Sequence, residues 1–236
     1  MENEILYFSV IAVSVASLSI GAYTDIRSRE VYSLLFLPLF ALGIAYNIFL
    51  GFSILYVLLE TAIFASLFLR SDTIIYISAG YLFIILSVVF AIRVNPYLGL
   101  QAFVSALMYL LGYRERLFGI GDLKAVVATL FATPAVNALI PFGLTITYLP
   151  VSIQYLFAIS ISSIFFIGLA ALVLRKRSAE FGLRGVFVVD VNEEFAKTMK
   201  NKYAQVERAG RKLLSYRIPF MIPILAGYVL LVMGIV

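Results

Sequence analysis

Eight apolar runs divide this 236-residue chain, at 5–24, 31–50, 52–69, 73–92, 96–112, 123–141, 152–174 and 218–236. A helix needs roughly 17–25 such residues to cross hydrocarbon, so the pattern predicts an all-α polytopic membrane protein. About eight transmembrane helices, within a range of six to eight, are expected. With 63% hydrophobic and 13% charged residues, the chain lies outside the composition of soluble domains. The start Met1-Glu2-Asn3-Glu4 is acidic and no small-residue cleavage site follows a basic region, so the first run reads as a retained helix rather than a signal peptide.

Lys and Arg gather in cytoplasmic loops. With the N-terminus outside, eight spans put Arg27, Arg29, Arg70, Arg114, Arg116, Lys124 and every basic residue of 175–217 on the inner side, and only Arg93 of the 18 falls outside. The net charge of +5 then reflects topology and contact with anionic lipid, not nucleic acid.

Three segments follow: a helical bundle over 1–174, a basic cytoplasmic insert over 175–217, and a final transmembrane helix over 218–236. The insert opens Arg175-Lys176-Arg177. Gly185 to Val191 reads as a short strand, and Glu193 to Leu214 as a helix with Phe195, Met199, Tyr203 and Val206 on one face. About 40 residues bury little core alone, so the insert should lean on the bundle or the lipid surface. Leu50-Gly51-Phe52 and the stretch from Pro141 to Pro150 read as outward connectors.

The chain has no Cys and no His. Cys nucleophiles, Ser-His pairs, HExxH zinc centres and haem or iron–sulfur ligation by these residues are excluded, and no metal or cofactor is implied. Two aspartates remain conspicuous. Asp25 ends the first apolar run beside Arg27 and Arg29, and Asp122 opens the sixth within Gly119-Ile120-Gly121-Asp122. In the topology above they share one membrane depth. Two close carboxyl groups sharing a proton can both take a proton from water and give one to a carbonyl oxygen, since like charges a few ångströms apart cannot both ionise comfortably. Gly119 and Gly121, without Cβ atoms, allow a sharp turn into the helix and close approach of an extended strand. The plain reading of the same residues is a loop-to-helix turn capped by Asp122.

Asp25-Ile26-Arg27-Ser28-Arg29-Glu30-Val31 and Gly119-Ile120-Gly121-Asp122-Leu123-Lys124 resemble the two motifs of the GxGD aspartic proteases of the type IV prepilin peptidase group. The likeness is greatest to the archaeal preflagellin and prepilin peptidases. It implies Asp25 and Asp122 as the catalytic pair, and leader peptides of archaellin or type IV pilin precursors as substrates, cut at the cytoplasmic membrane edge. Bacterial relatives carry an added Cys-containing methyltransferase domain, so this chain is expected to be the peptidase-only form. Archaeal relatives are described with six spans and GxGD at the fourth. Here it falls at the sixth, as an extra outward-and-back hairpin would place it.

Lys124 matches a lysine of the family's motif and reads either as charge near the dyad, a leader contact, or a snorkelling side chain. Arg27 and Arg29 read as topology anchors or substrate contacts. Glu60, mid-run in the third span, reads as a protonated acid bonded to another helix or as part of an ion path. Pro219 lies near the first turn of the last helix, in a segment with a weak likeness to one near the active site of distant GxGD proteases. Two rival functions stand beside the leader peptidase. One is a presenilin or signal-peptide-peptidase type protease, whose Tyr-Asp and Pro-Ala-Leu arrangement this chain lacks. The other is a carboxylate-gated proton or cation transporter using Glu60, Asp25 and Asp122, which should show repeat symmetry.

Overall fold

The computed structural model of the chain describes residues 2–28, 31–69, 73–114, 119–133, 150–174, 179–182, 185–188, 203–208, 211–216 and 219–233. Among them are eight α-helices: α1 (Glu2–Ser28), α2 (Leu37–Phe49), α3 (Ile54–Ser66), α4 (Thr73–Arg93), α5 (Pro96–Leu111), α6 (Ile120–Ala132), α7 (Val151–Leu174) and α8 (Met221–Val232). Three are long and apolar enough to cross a membrane, over Ile5–Ser28, Thr73–Arg93 and Val151–Leu169. The helices α2, α3, α5 and α8 are apolar but shorter. Turns occupy the ends of their runs: a 3-10 turn at Ser33–Phe36 precedes α2, and α8 begins only after Pro219 and Phe220.

The helix ends follow local chemistry. Asn95 caps α5, its side-chain oxygen accepting from the N–H groups of Tyr97 at 2.9 Å and Leu98 at 3.1 Å, with Pro96 just inside the helix. After α2 the chain reverses at Gly51, whose φ of 74° suits glycine, while the Phe52 N–H returns to the Asn47 carbonyl at 3.0 Å. The expected connector at Leu50-Gly51-Phe52 is therefore present.

Helix α6 is the centre of the bundle. It packs against α1, α2, α3, α5, α7 and α8, and of its residues only Ile120 and Asp122 are not buried. Close approach depends on small residues. A Cβ at Gly43 of α2 would stand 3.1 Å from the Ala132 backbone, so the glycine lets α2 lie directly on α6. Stacked rings fill the adjoining space, Phe40 lying 4.6 Å from Phe131 and 4.0 Å from Phe64.

The sixth apolar run predicts a helix over 123–141, but α6 starts at Ile120 and stops at Ala132; residues 134–149, and with them most of the expected connector at Pro141 to Pro150, lie outside the described residues. Thirteen residues rise only about 20 Å, so the helix ends inside the bundle. Its last carbonyls find donors there. Asn47 Nδ2 donates to Phe131 O at 2.8 Å, Gln101 Nε2 to Leu130 O at 2.6 Å, and Thr133 Oγ1 to Thr129 O at 2.6 Å. Amide donors at this end also complement the negative pole of the helix.

Between α7 and α8 lies an antiparallel sheet, with β1 (Ala179–Gly182), β2 (Gly185–Val188), β3 (Tyr203–Arg208) and β4 (Arg211–Tyr216) in the order β1-β2-β4-β3. β2 matches the expected strand, whose residues 189–191 lie outside the described residues. The helix expected over Glu193 to Leu214 is corrected: its described part forms β3 and β4, paired from Tyr203↔Tyr216 to Arg208↔Arg211. The pairing closes with Arg208 opposite Arg211, and a glycine such as Gly210 would weaken a helix interior. The helical spacing rested half on Phe195 and Met199, which lie outside the described residues. β1 and β2 pack on α7, so the insert leans on the bundle.

The capped end of α6 makes a stability prediction. Asn47→Leu and Gln101→Leu, each leaving a buried carbonyl without its side-chain donor, should destabilise the protein by about 1–3 kcal/mol, measured by denaturant unfolding of the purified protein. Unchanged stability in both variants would show that other donors satisfy these carbonyls.

Candidate active site

The end of α1, the start of α6 and the start of α8 meet at one end of the bundle, since α1 packs against both other helices and Met221 opens α8 beside the last turn of α1. Asp25 stands in that last turn. It is buried, with 7% of its surface exposed, and its Oδ2 accepts the Met221 N–H at 3.1 Å. This N–H is one of the orphan donors of a helix start and favours a negatively charged oxygen. One turn earlier, Gly21 makes room for it. A Cβ there would lie 2.7 Å from Met221 Cε.

Asp122 is half-buried at the third position of α6 and caps it, its Oδ2 accepting the Gly119 N–H at 3.1 Å, while the Gly119 carbonyl takes the first helical bond from Leu123 N–H at 3.2 Å. The capping reading of Asp122 therefore holds alongside its nearness to Asp25. Asp122 precedes the apolar run of α6. Burial, and then the negative charge of Asp25, push its carboxyl up from 3.8 to about 7, against the opposing effect of the Gly119 N–H. The two predicted carboxylates are thus brought within electrostatic reach of each other by helices far apart in sequence.

The glycines serve a packing role. Gly119 has an ordinary extended backbone, with φ −68° and ψ 150°. At Gly121 a Cβ would meet Val31 Cβ at 2.9 Å and Val31 O at 3.1 Å. Val31 closes the stretch that begins at Asp25, so Gly121 lets Val31 press against the first turn of α6. The absence of a side chain at 121 registers one motif against the other.

Lys124 is buried, with its ammonium 3.7 Å from the centre of the Phe68 ring just beyond α3. A snorkelling lysine would keep its head in water, whereas this one joins α6 to the end of α3 through a cation–π contact. Arg27 is exposed and donates to the Tyr23 hydroxyl at 3.3 Å; Arg29 lies outside the described residues. Glu60 is fully buried midway along α3 and accepts from Ser105 Oγ of α5 at 3.1 Å, as expected for an acid bonded to another helix. It is eight residues, about 12 Å of helix, from the Phe68 end. No group of three potential metal-ligating side chains occurs among the described residues.

Sequence reasoning missed the part played by Met221 and Gly21. The one signal was Pro219, two residues before α8, which marks where a helix can begin and where N–H groups are left without intrahelical partners. No family model, curated protein or solved structure matches the chain.

Two predictions follow from this geometry. Because the folded protein holds a proton on Asp122 that the unfolded chain has released, Asp122 contributes stability that is full below about pH 4 and is lost as pH rises to about 7. Asp122→Asn should flatten that part of the stability-versus-pH curve measured by thermal unfolding. Gly121→Ala should cost about 1–3 kcal/mol through overpacking against Val31, and Gly119→Ala less, since its Cβ meets only the Asp122 carboxylate at 3.2 Å. Equal effects in urea titrations would contradict the packing role.

Proposed function

We propose that the chain is a polytopic membrane aspartic endopeptidase that removes the short charged leader from archaellin or type IV pilin precursors at the cytoplasmic membrane edge, with its N-terminus outside. The observation that carries this reading is the buried Asp25 near Asp122, whose carboxyl is pushed up to about 7 by burial and then by the charge of Asp25. Three membrane-length apolar helices, and exposed side chains such as Ile75, Leu82 and Ile85 on α4 and Phe157 and Ile164 on α7, support a bilayer setting. The resemblance of both motifs to the prepilin peptidases supports the substrate class. Leader peptides and membrane lipids are then its partners.

In this reading Asp25 is the base and Asp122 the acid, because their surroundings separate them. Asp25, with its oxygen on the Met221 N–H at the positive end of α8, is the carboxylate that takes a proton from water. Asp122 gives its proton to the scissile carbonyl oxygen as the water oxygen bonds to the carbonyl carbon. The product of this step is a gem-diol. Its C–N bond then breaks, Asp25 passes its proton to the departing nitrogen, and Asp122 recovers one from a gem-diol hydroxyl. Both carboxyl groups return to their starting states.

Glu60 favours a second reading, the carboxylate-gated proton or cation transporter, since it is a fully buried acid whose Oε2 has no protein hydrogen-bond partner among the described residues. One assay separates the two. Membranes holding the protein are incubated with a leader-bearing pilin precursor, and cleavage by the wild type is compared with that by variants. Asp25→Ala and Asp122→Ala should each slow cleavage on the order of 10²–10⁴-fold, and Glu60→Gln should leave it largely intact. Cleavage that persists in both Asp variants would sink the dyad; a loss in Glu60→Gln as deep as theirs would favour the transporter or a third essential acid.

A further inference from the structure

Five buried hydroxyl oxygens on three helices make no hydrogen bond of ordinary geometry among the described residues: Tyr7 and Ser14 of α1, Ser152 and Tyr155 of α7, and Tyr228 of α8, with the Ser14 hydroxyl at the margin of bonding reach of Tyr228 and that of Thr129 at the margin of reach of Tyr155. They converge on one junction. α8 packs along both α1 and α7, the Tyr155 and Tyr228 rings meet edge to face at 6.1 Å, and the Tyr228 hydroxyl lies beside Ser14, with Tyr7 next to it. Ser152 sits one turn before Tyr155 on the same face of α7. Ser14, Tyr155 and Tyr228 are each fully buried.

Helical serines ordinarily return their proton to the carbonyl four residues back, and the buried Ser87 does so, to Phe83 O at 2.7 Å. Ser14 does not. A hydroxyl deep in a bundle that forgoes its own backbone carbonyl is available to something else. Phe at 155 and 228 would fill the same ring volume with no polar atom to satisfy, yet both positions carry Tyr. Hydroxyls can donate and accept, and a buried water makes two to four hydrogen bonds, so a few waters can satisfy several such groups at once.

We propose that the α1–α7–α8 junction is an internal hydration site, in which Ser14, Ser152, Tyr155, Tyr228 and Tyr7 hold a small cluster of ordered water. The cluster is separate from the dyad. Leu18 of α1 and Ile224 of α8, both fully buried, stand between the hydroxyls and the Asp25–Met221 contact along their helices. The site's existence does not depend on the proposed peptidase activity.

The sign of a stability change tests it. A hydroxyl left dry in an apolar interior is a liability, and replacing it by hydrogen stabilises; a hydroxyl bonded to ordered water is an asset, and replacing it destabilises. Tyr155→Phe and Tyr228→Phe, which keep the ring, should each lower the Tm of the purified full-length protein by about 2–4 °C. Hydroxyl-radical footprinting by X-ray radiolysis gives a second readout: Tyr155 and Tyr228 should be labelled despite their burial, whereas the equally buried Phe131 should not. A Tm unchanged or raised in both variants, or labelling at Tyr155 and Tyr228 no greater than at Phe131, overturns the proposal.

Discussion

The bundle is organised around a helix that ends where no bulk water can reach its carbonyls. α6 is surrounded by six other helices and stops at Ala132, which obliges the surrounding helices to bring donors to it. Asn47 on α2 and Gln101 on α5 do so. Each is buried, and each sends its amide N–H across to a carbonyl of α6. The same helix opens at its other end with Asp122, whose carboxyl is pushed up by burial and then by the neighbouring Asp25, against the Gly119 N–H. Fixing the depth of α6 with side-chain amides at one end therefore fixes the height of the carboxyl group at the other. A half-length helix held in this way gathers Asn47, Gln101 and Thr133 on the carbonyls of its last turn.

The two motifs depend on each other through packing as well as charge. Val31 ends one and Gly121 belongs to the other, and there is no space for a Cβ between them. Gly21 does the same for α8, admitting the Met221 side chain next to Asp25. Three chain segments are thereby brought to one end of the bundle by the absence of side chains at two positions. Lys124 adds a fourth, since its ammonium on the Phe68 ring ties α6 to the end of α3.

How far the sequence disclosed this depends on the range of each interaction. Asp25 and Asp122 were legible because a carboxylate at the edge of an apolar run is costly wherever its neighbours lie. The connector at Leu50-Gly51-Phe52 is legible because its partners sit within a few residues. The contact between Asp25 and Met221 spans 196 residues, and nothing local to either end announces it. α6 was drawn too long because hydropathy follows apolarity through Thr133-Pro134-Ala135 and does not register that proline cannot continue the hydrogen-bond ladder. The pairing of β3 with β4 is hidden in the sequence because the apolar spacing of Tyr203 and Val206 fits a helix, while a glycine such as Gly210, which weakens a helix interior, is a weaker signal. The helix-to-helix bond of Glu60 to Ser105 was expected in kind, but the donor's identity required the packing of α3 on α5.

The environments of Asp25 and Asp122 differ in a way that a symmetric pair would not. The Gly119 N–H on Asp122 and the Met221 N–H on Asp25 differ in origin. The donor to Asp122 is the Gly119 N–H of its own turn, which any Asp at the third position of a helix can recruit and which moves with it. The donor to Asp25 belongs to a separate helix, so it exists only when α8 is docked against α1. Loosening α8 would leave the Asp122 cap in place while depriving Asp25 of a donor that favours its charge. The asymmetry between the two carboxyl groups is thus tied to how α8 is seated against α1.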